Sequence, residues 1–227
     1  AAVHSTAEFE RRQSIKWYPR AEARAVVAPL LFDLAPFRDL PGPDKARAAY
    51  DLASSDLPKL LFLSRVHEKK GLPNLIRAAR ILKDRGAPAA VLIAGTGEPA
   101  YVESMKALVR ELDLEDTTAL LGLVTGDTKV SLFQAAHLFV LPTSQENFGF
   151  APIEAMASGT VAVTTKGVDI WPELEASGGA LIADPSPEPL ANALSELLAD
   201  PDRRRTMGQA ARRWVLDRLD PQRVIGE

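Results

Sequence analysis

From residue 59 onward, short apolar runs rich in leucine and β-branched residues alternate with stretches whose apolar positions recur at helical spacing. The runs are KLLFLS (59–64), AVLIAG (90–95), TALLGL (118–123), LFVLP (138–142), VAVTT (161–165) and GALIAD (179–184). Most are apolar throughout, as strands covered on both faces are. After the first, LPNLIRAARILKDRG places Leu75, Ala78, Ala79 and Leu82 on one face and stops at Gly86. EPAYVESMKALVRELDL repeats the scheme after the second. Strands and helices in strict alternation predict βαβ units, hence an α/β fold with a doubly wound parallel sheet.

The flanks are less regular. A helix near 6–17, a strand AVVAPL (25–30) and the looser FDLAPFRDLPGPDKARAAY precede the main alternation. Beyond residue 186 two amphipathic helices follow in succession; the arginines of the second, PDRRRTMGQAARRWVLDRL, suggest an anionic partner, against the favoured reading of a solvated helix face. No internal repeat or low-complexity segment interrupts the chain. Its 227 residues suffice for one well-buried core, so residues 1–227 are expected to form one large domain. A net charge of -3 from 27 basic and 30 acidic groups leaves no excess field, which argues against nucleic acid as a partner. With no cysteine, disulfides and thiolate metal sites are excluded, and a cytoplasmic location fits. No apolar run approaches the ~18 residues of a membrane helix, and the first residues do not read as a signal peptide. Because the chain opens on AAVHSTAEFERRQ without a methionine, it reads as a piece of a larger polypeptide.

In a doubly wound sheet ligands sit beyond the carboxyl ends of the strands, so chemistry is sought in those loops. RVHEKKG follows residues 59–64; Arg65 and Lys70 lie five apart, and Gly71 precedes a helix. Two cations beside a helix N-terminus suit a phosphate or diphosphate, because the dipole and free N–H groups add to the formal charges. Solvated surface cations are the competing reading, and His67 reads as a bystander. GTGEPA, after residues 90–95, satisfies G-x-G-x-x-A. The dinucleotide fingerprint, however, belongs to the first βα turn and wants an acid at the end of the next strand, where LLGLV has none. Gly95 and Gly97 still mark a close backbone approach, to a ligand or to the following helix. GLVTGD leads into another helix, with Asp127 or Thr128 as its N-cap.

The stretch SQENFGFAPIEAMASGT (144–160) sets Glu146 and Glu154 eight positions apart. Pro152 belongs in the first turn of a helix, which therefore begins near Phe150 or Ala151 and ends at Gly159. Glu154 then lies within its first two turns and Glu146 in the loop before it. The intervening N–H groups reach a helix N-terminus, a place for anions or hydroxyl oxygens. Helix capping is the competing reading for either acid.

Together these features resemble the C-terminal, donor-binding domain of retaining glycosyltransferases of the GT-B fold, specifically glycosyltransferase family 4, the group 1 transferases. The resemblance covers nearly the whole chain. It rests on FLSRVHEKKG for the family's Arg-x4-Lys-Gly, on VLIAGTGE, LLGLVTGD and LFVLPTSQENFGFAPIEAMASGTVAV, and on VVAPLLFDLAPF at the family's Pro-Asn-Gly-Val-Asp turn. It implies a Rossmann-like sheet forming one half of a GT-B fold, with residues 1–24 at an interdomain edge and the N-terminal acceptor domain absent. Arg65 and Lys70 would hold the diphosphate of a UDP-, GDP- or ADP-linked sugar, Glu146 would face the sugar and Glu154 the ribose hydroxyls. Backbone groups of Asn147, Phe148, Gly149 and Phe150 would contact sugar and phosphate; Val124 would meet the base through its main chain, with Gly95 and Gly97 flanking the site. No metal or other cofactor is implied, because the two cations and a helix N-terminus can stabilise the departing diphosphate. DPD (200–202) matches a short acidic motif of metal-dependent sugar transferases, but it falls between two terminal helices and is assigned no metal.

A carboxylate is a pure acceptor that matches a diol, so the two glutamates need not be the acid and base pair that glycosidases set ~5 to 9.5 Å apart. The chain departs from the family at Leu30 and Leu31, where Asn-Gly is usual, at His137, commonly Asp, and at Thr160, often proline. The expectation is a domain that binds nucleotide sugar but transfers nothing alone, the acceptor (glycan, lipid or small molecule) and any membrane association belonging to the absent domain. A non-catalytic nucleotide-sugar-binding module or a subunit of a split enzyme is the alternative. A related GT-B epimerase or phosphorylase is a further one, although no lysine stands in a pyridoxal-binding context.

Overall fold

The computed structural model of the chain describes residues 3–27, 31–52 and 54–220. In chain order the elements are β1 (Val3–Ser5), α1 (Glu8–Trp17), β2 (Ala25–Val27), α2 (Ala35–Arg38), α3 (Asp44–Ala49), β3 (Lys59–Leu63), α4 (Leu72–Asp84), β4 (Ala90–Ala94), α5 (Pro99–Glu111) and β5 (Thr118–Gly122). Then come α6 (Gly126–Ala135), β6 (Leu138–Leu141), α7 (Phe150–Ala157), β7 (Ala162–Thr164), α8 (Trp171–Ala176), β8 (Ala180–Ile182), α9 (Pro187–Ala199) and α10 (Pro201–Arg218). Short 3-10 turns occupy Pro19–Arg24 and Glu68–Lys70. All six strands expected after residue 59 are present, each ending one or two residues early where its loop turns toward the rim of the sheet. Of the strand expected over 25–30, residues 28–30 lie outside the described residues, and so does Leu30.

The six strands form one parallel sheet in the order β5-β4-β3-β6-β7-β8. From β3 the chain steps outward through α4 and α5 to β5, then returns through α6 to lay β6 on the other side of β3. Since right-handed crossovers set the face of each connecting helix, α4 and α5 cover one face, and α6, α7 and α8 the other. Leu60, Leu61 and Phe62 are consecutive and fully buried, as are Leu138, Phe139 and Val140. That is the sign of central strands covered on both sides, and it explains why these runs are not amphipathic. The terminal helices clasp the layers: α9 packs on α4, and α10 on α7.

Two short helices precede the sheet without a readable period. α3 has six residues, and it is fixed by α6: Ala46 N–H donates to Ser131 Oγ at 2.9 Å, and Ala46 is fully buried. β1 and β2 form a separate two-stranded parallel sheet beside α1, with Val26 and Val27 exposed. Among the described residues no helix is long and apolar enough to cross a membrane.

Candidate functional site

The strand order reverses between β3 and β6, and the loops leaving these two strands diverge into helices on opposite faces. Such a reversal opens a crevice at the carboxyl edge of a parallel sheet. Backbone and side-chain bonds join the loops along this edge. Val66 N–H donates to Thr96 O at 2.8 Å and Gly95 N–H to Gly122 O at 2.7 Å, tying the loops after β3, β4 and β5. Lys69 O accepts from Ser144 N–H and from Thr143 Oγ1, each at 2.8 Å, so the loop after β3 is also fastened to the loop after β6. Glu146 N–H donates to Gly167 O at 2.7 Å and Asp169 N–H to Glu146 O at 2.9 Å, adding the loop after β7.

Glycine makes two of these junctions possible. Gly71 has φ 69°, and a Cβ there would stand 2.0 Å from the carbonyl oxygen of Pro142, at the end of β6. Gly95 has φ 136°, and a Cβ would stand 1.9 Å from Ser64 O; at Gly97 it would meet Val66 O at 2.1 Å. The following helix is therefore not what these two glycines approach in the fold. They approach the backbone of the loop after β3, because β3 and β4 are neighbours whose loops leave in parallel.

Across the crevice Lys70 Nζ is ion-paired with Glu146 Oε2. Lys70 closes the 3-10 turn Glu68–Lys70 and is only 8% exposed, while Glu146 is partly buried. His67 caps that turn, its Nδ1 accepting from Lys69 N–H at 3.2 Å, which gives this histidine a structural task. Arg65, by contrast, is exposed and has no ion-pair or hydrogen-bond partner among the described residues.

Beyond Glu146 the chain enters α7. The N–H groups of Asn147, Phe148, Gly149, Phe150 and Ala151 donate to nothing among the described residues, and Pro152 has none to offer. This leaves a row of donors at a helix N-terminus, where the peptide dipoles also concentrate positive potential. Phe148 is buried and fixes the loop, whereas Phe150 is 45% exposed with its ring 5.3 Å from that of Phe148. Asn147 is exposed.

Glu154, in the second turn of α7, is ion-paired with Lys129 on α6, Nζ to Oε1 2.6 Å. Lys129 carries no signal in the sequence, because only the packing of α6 on α7 brings it to Glu154. Val124 is buried just ahead of α6. The N-cap of α6 is Thr125 rather than Asp127 or Thr128, and its side chain makes no capping bond. Asp127 falls inside the first turn and pairs instead with Lys45 of α3, at 3.1 Å.

Two other acids are accounted for locally. Asp200 caps α10 by accepting from Arg203 N–H at 2.8 Å, and Asp202 pairs with Arg205 at 2.9 Å. Asp169, beside Glu146, has its carboxyl pushed above the ordinary range, first by burial and then by the charge of Glu10. Among the described residues no three metal-ligating side chains cluster. The structure therefore brings Arg65, Lys70, Glu146, Asn147 to Phe150 and Gly95 to Gly97 to one continuous edge, with Val124 and Glu154 at the α6 and α7 end of it.

A family model described as glycosyl transferases group 1 matches residues 47–214. A D-inositol 3-phosphate glycosyltransferase of Kineococcus radiotolerans is 34% identical over 223 residues, 91% of this chain and 51% of its own length. A sucrose-phosphate synthase from Thermosynechococcus elongatus has a similar fold, with TM-score 0.85 and 25% identity over 98% of this chain and 55% of that one. The Anabaena protein HepE, solved in complex with UDP, superposes with TM-score 0.86 at 20% identity, over 98% of this chain and 61% of its own. The chain spans about half the length of the curated relatives it matches.

Proposed function

Because the chain belongs to the glycosyl transferases group 1 family, we propose that its crevice binds a nucleoside-diphosphate sugar and that this unit is the donor-binding part of a retaining glycosyltransferase. The observation that carries the reading is the convergence, at the reversal of strand order, of unpaired Arg65, Lys70 and the free N–H row from Asn147 to Ala151. Such an arrangement fits an anion with several oxygens.

In the proposed reaction the bond between the sugar and the diphosphate breaks, and negative charge grows on the departing phosphate oxygen. Arg65 and Lys70 stabilise that charge, and donors fixed before the reaction cost no reorganisation when it occurs. A diphosphate competes with Glu146 for Lys70, so donor binding is coupled to the freeing of the Glu146 carboxylate toward sugar hydroxyls. Glu154 accepts from the ribose diol, the main chain of Val124 faces the base, and the loop of Gly95 and Gly97 borders the diphosphate. No resident metal is invoked. The acceptor is bound by a further domain, and this unit alone transfers no sugar.

Calorimetric titration with UDP, GDP and ADP, each with and without an attached sugar, tests the reading. UDP is the first probe because the Anabaena relative was solved with it. At least one nucleotide is expected to bind at millimolar concentration or below. No binding by any of them overturns the donor-site assignment, and sugar transfer by this polypeptide alone overturns the need for a second domain.

A further inference from the structure

Glu154 presents a difficulty for a site that receives a polyanion. Its side chain is 17% exposed, and without a partner its carboxylate would both repel a diphosphate ligand and have neither oxygen held in a set orientation. Lys129 answers both problems. Its ammonium, itself 26% exposed, engages Oε1 at 2.6 Å from the first turn of the neighbouring helix. Oε2 has no partner among the described residues, and it is not one of their sealed polar atoms, which are Ser5 Oγ, Thr118 Oγ1 and Glu173 Oε2. One oxygen is thus held and neutralised while the other is presented.

The surroundings leave Lys129 to this single task. Asp127, the acid in the first turn of α6 beside Lys129, is drawn to Lys45 and does not compete for the ammonium. Lys129 is also anchored through its backbone, N–H to Thr125 O at 3.3 Å, in the turn that follows Val124. A ligand that spans the main chain of Val124 and the carboxylate of Glu154 therefore passes the Lys129–Glu154 pair.

We propose that Lys129 is a positioning residue for nucleotide recognition: it fixes the Glu154 carboxylate in the orientation that distinguishes ribose from 2′-deoxyribose. This rests on the donor-site reading above. A vicinal diol offers two hydroxyl donors to a carboxylate, whereas a 2′-deoxyribose offers one, so the preference depends on how the acceptor oxygens are aimed. A lysine that merely tied α6 to α7 would affect stability without changing that preference.

The test is the affinity ratio for UDP, GDP and ADP against their 2′-deoxy forms, measured on wild type, Lys129→Met, Lys129→Arg and Glu154→Gln. The wild type is expected to favour the ribose form by about tenfold, the value of one hydrogen bond to a charged group. Lys129→Met should lower the ratio to within about twofold, as should Glu154→Gln, and Lys129→Arg should restore most of it. A wild-type ratio retained in Lys129→Met, whatever the loss of affinity common to both forms, overturns the proposal and leaves the donor site intact. Equal binding of both forms by the wild type overturns it together with the ribose role of Glu154, and absence of all nucleotide binding overturns the donor-site reading itself.

Discussion

Arg65 and Lys70 stand five residues apart, yet their electrostatic circumstances differ. Arg65 is exposed and unpaired, while Lys70 is almost fully buried against Glu146. Arg65→Ala should therefore weaken a nucleoside diphosphate while leaving the parent nucleoside unaffected. In an enzyme carrying both domains it should cost about 2.7 to 4 kcal/mol of transition-state stabilisation, the loss measured for one oxyanion donor. An unchanged kcat would remove Arg65 from the leaving group. Glu146→Gln acts in the opposite sense on binding. It leaves a buried ammonium without its counter-charge, which lowers thermal stability, and it relieves the competition for Lys70. UDP should then raise the melting temperature of the variant by more than it raises that of the wild type, while transfer falls. Equal ligand-induced shifts would mean that the diphosphate and Glu146 do not share Lys70.

At the scale of elements, what could be read from the sequence depended on length and on partners. The six apolar runs are legible because a central parallel strand such as Leu60–Phe62 needs no polar face. α2 and α3 are too short to show a helical period, and Ala46 of α3 is specified by Ser131 of α6. The residue types of the candidate site are visible in the loops, but their pairing is not: Lys70 and Glu146 are 76 positions apart, and only the reversal between β3 and β6 brings them together. The same holds for Lys129 and Glu154, joined across α6 and α7.

His137 shows how a departure from the family pattern can keep a local function. Its Nδ1 accepts from Lys59 N–H at 3.0 Å, and its own N–H donates to Lys59 O at 2.9 Å, so it secures the start of β6 against the start of β3. Desolvation of the ring, then the charges of Arg204, Lys59 and Arg47, hold its pKa below 6.5. The neutral form is the one bound in the fold, so its contribution is present above the unfolded pKa and is lost as pH falls through the lowered folded value. Stability measured by urea titration should therefore decline on acidification below about pH 6.5, and His137→Gln should flatten that decline. An identical acid profile in the variant would exclude this histidine as the cause.

Across the whole molecule, charge is balanced in the same manner as at the site. Its 27 basic and 30 acidic residues nearly cancel, and ion pairs connect elements distant in sequence, such as Arg85 of the α4 end with Glu188 of α9. The two lysine–glutamate pairs of the candidate site carry this principle into the crevice. Of Arg65, Lys70, Lys129, Glu146 and Glu154, three are cations and two are anions, so the group has one net positive charge, and the cation without a carboxylate partner is Arg65. A site of that kind attracts its ligand through directed hydrogen bonds more than through a long-range field. Ionic strength becomes the readout: raising salt from roughly 0.05 to 0.5 M should reduce UDP affinity by less than about tenfold, since screening acts on net charge. Glu146→Gln should steepen that dependence by exposing the charge of Lys70. A steep dependence in the wild type would mean that the charges of Glu146 and Glu154 do not offset those of the lysines when the nucleotide arrives. In the proposed donor site, nucleotide affinity would thus be insulated from the salt around it, which a bare cluster of cations could not achieve.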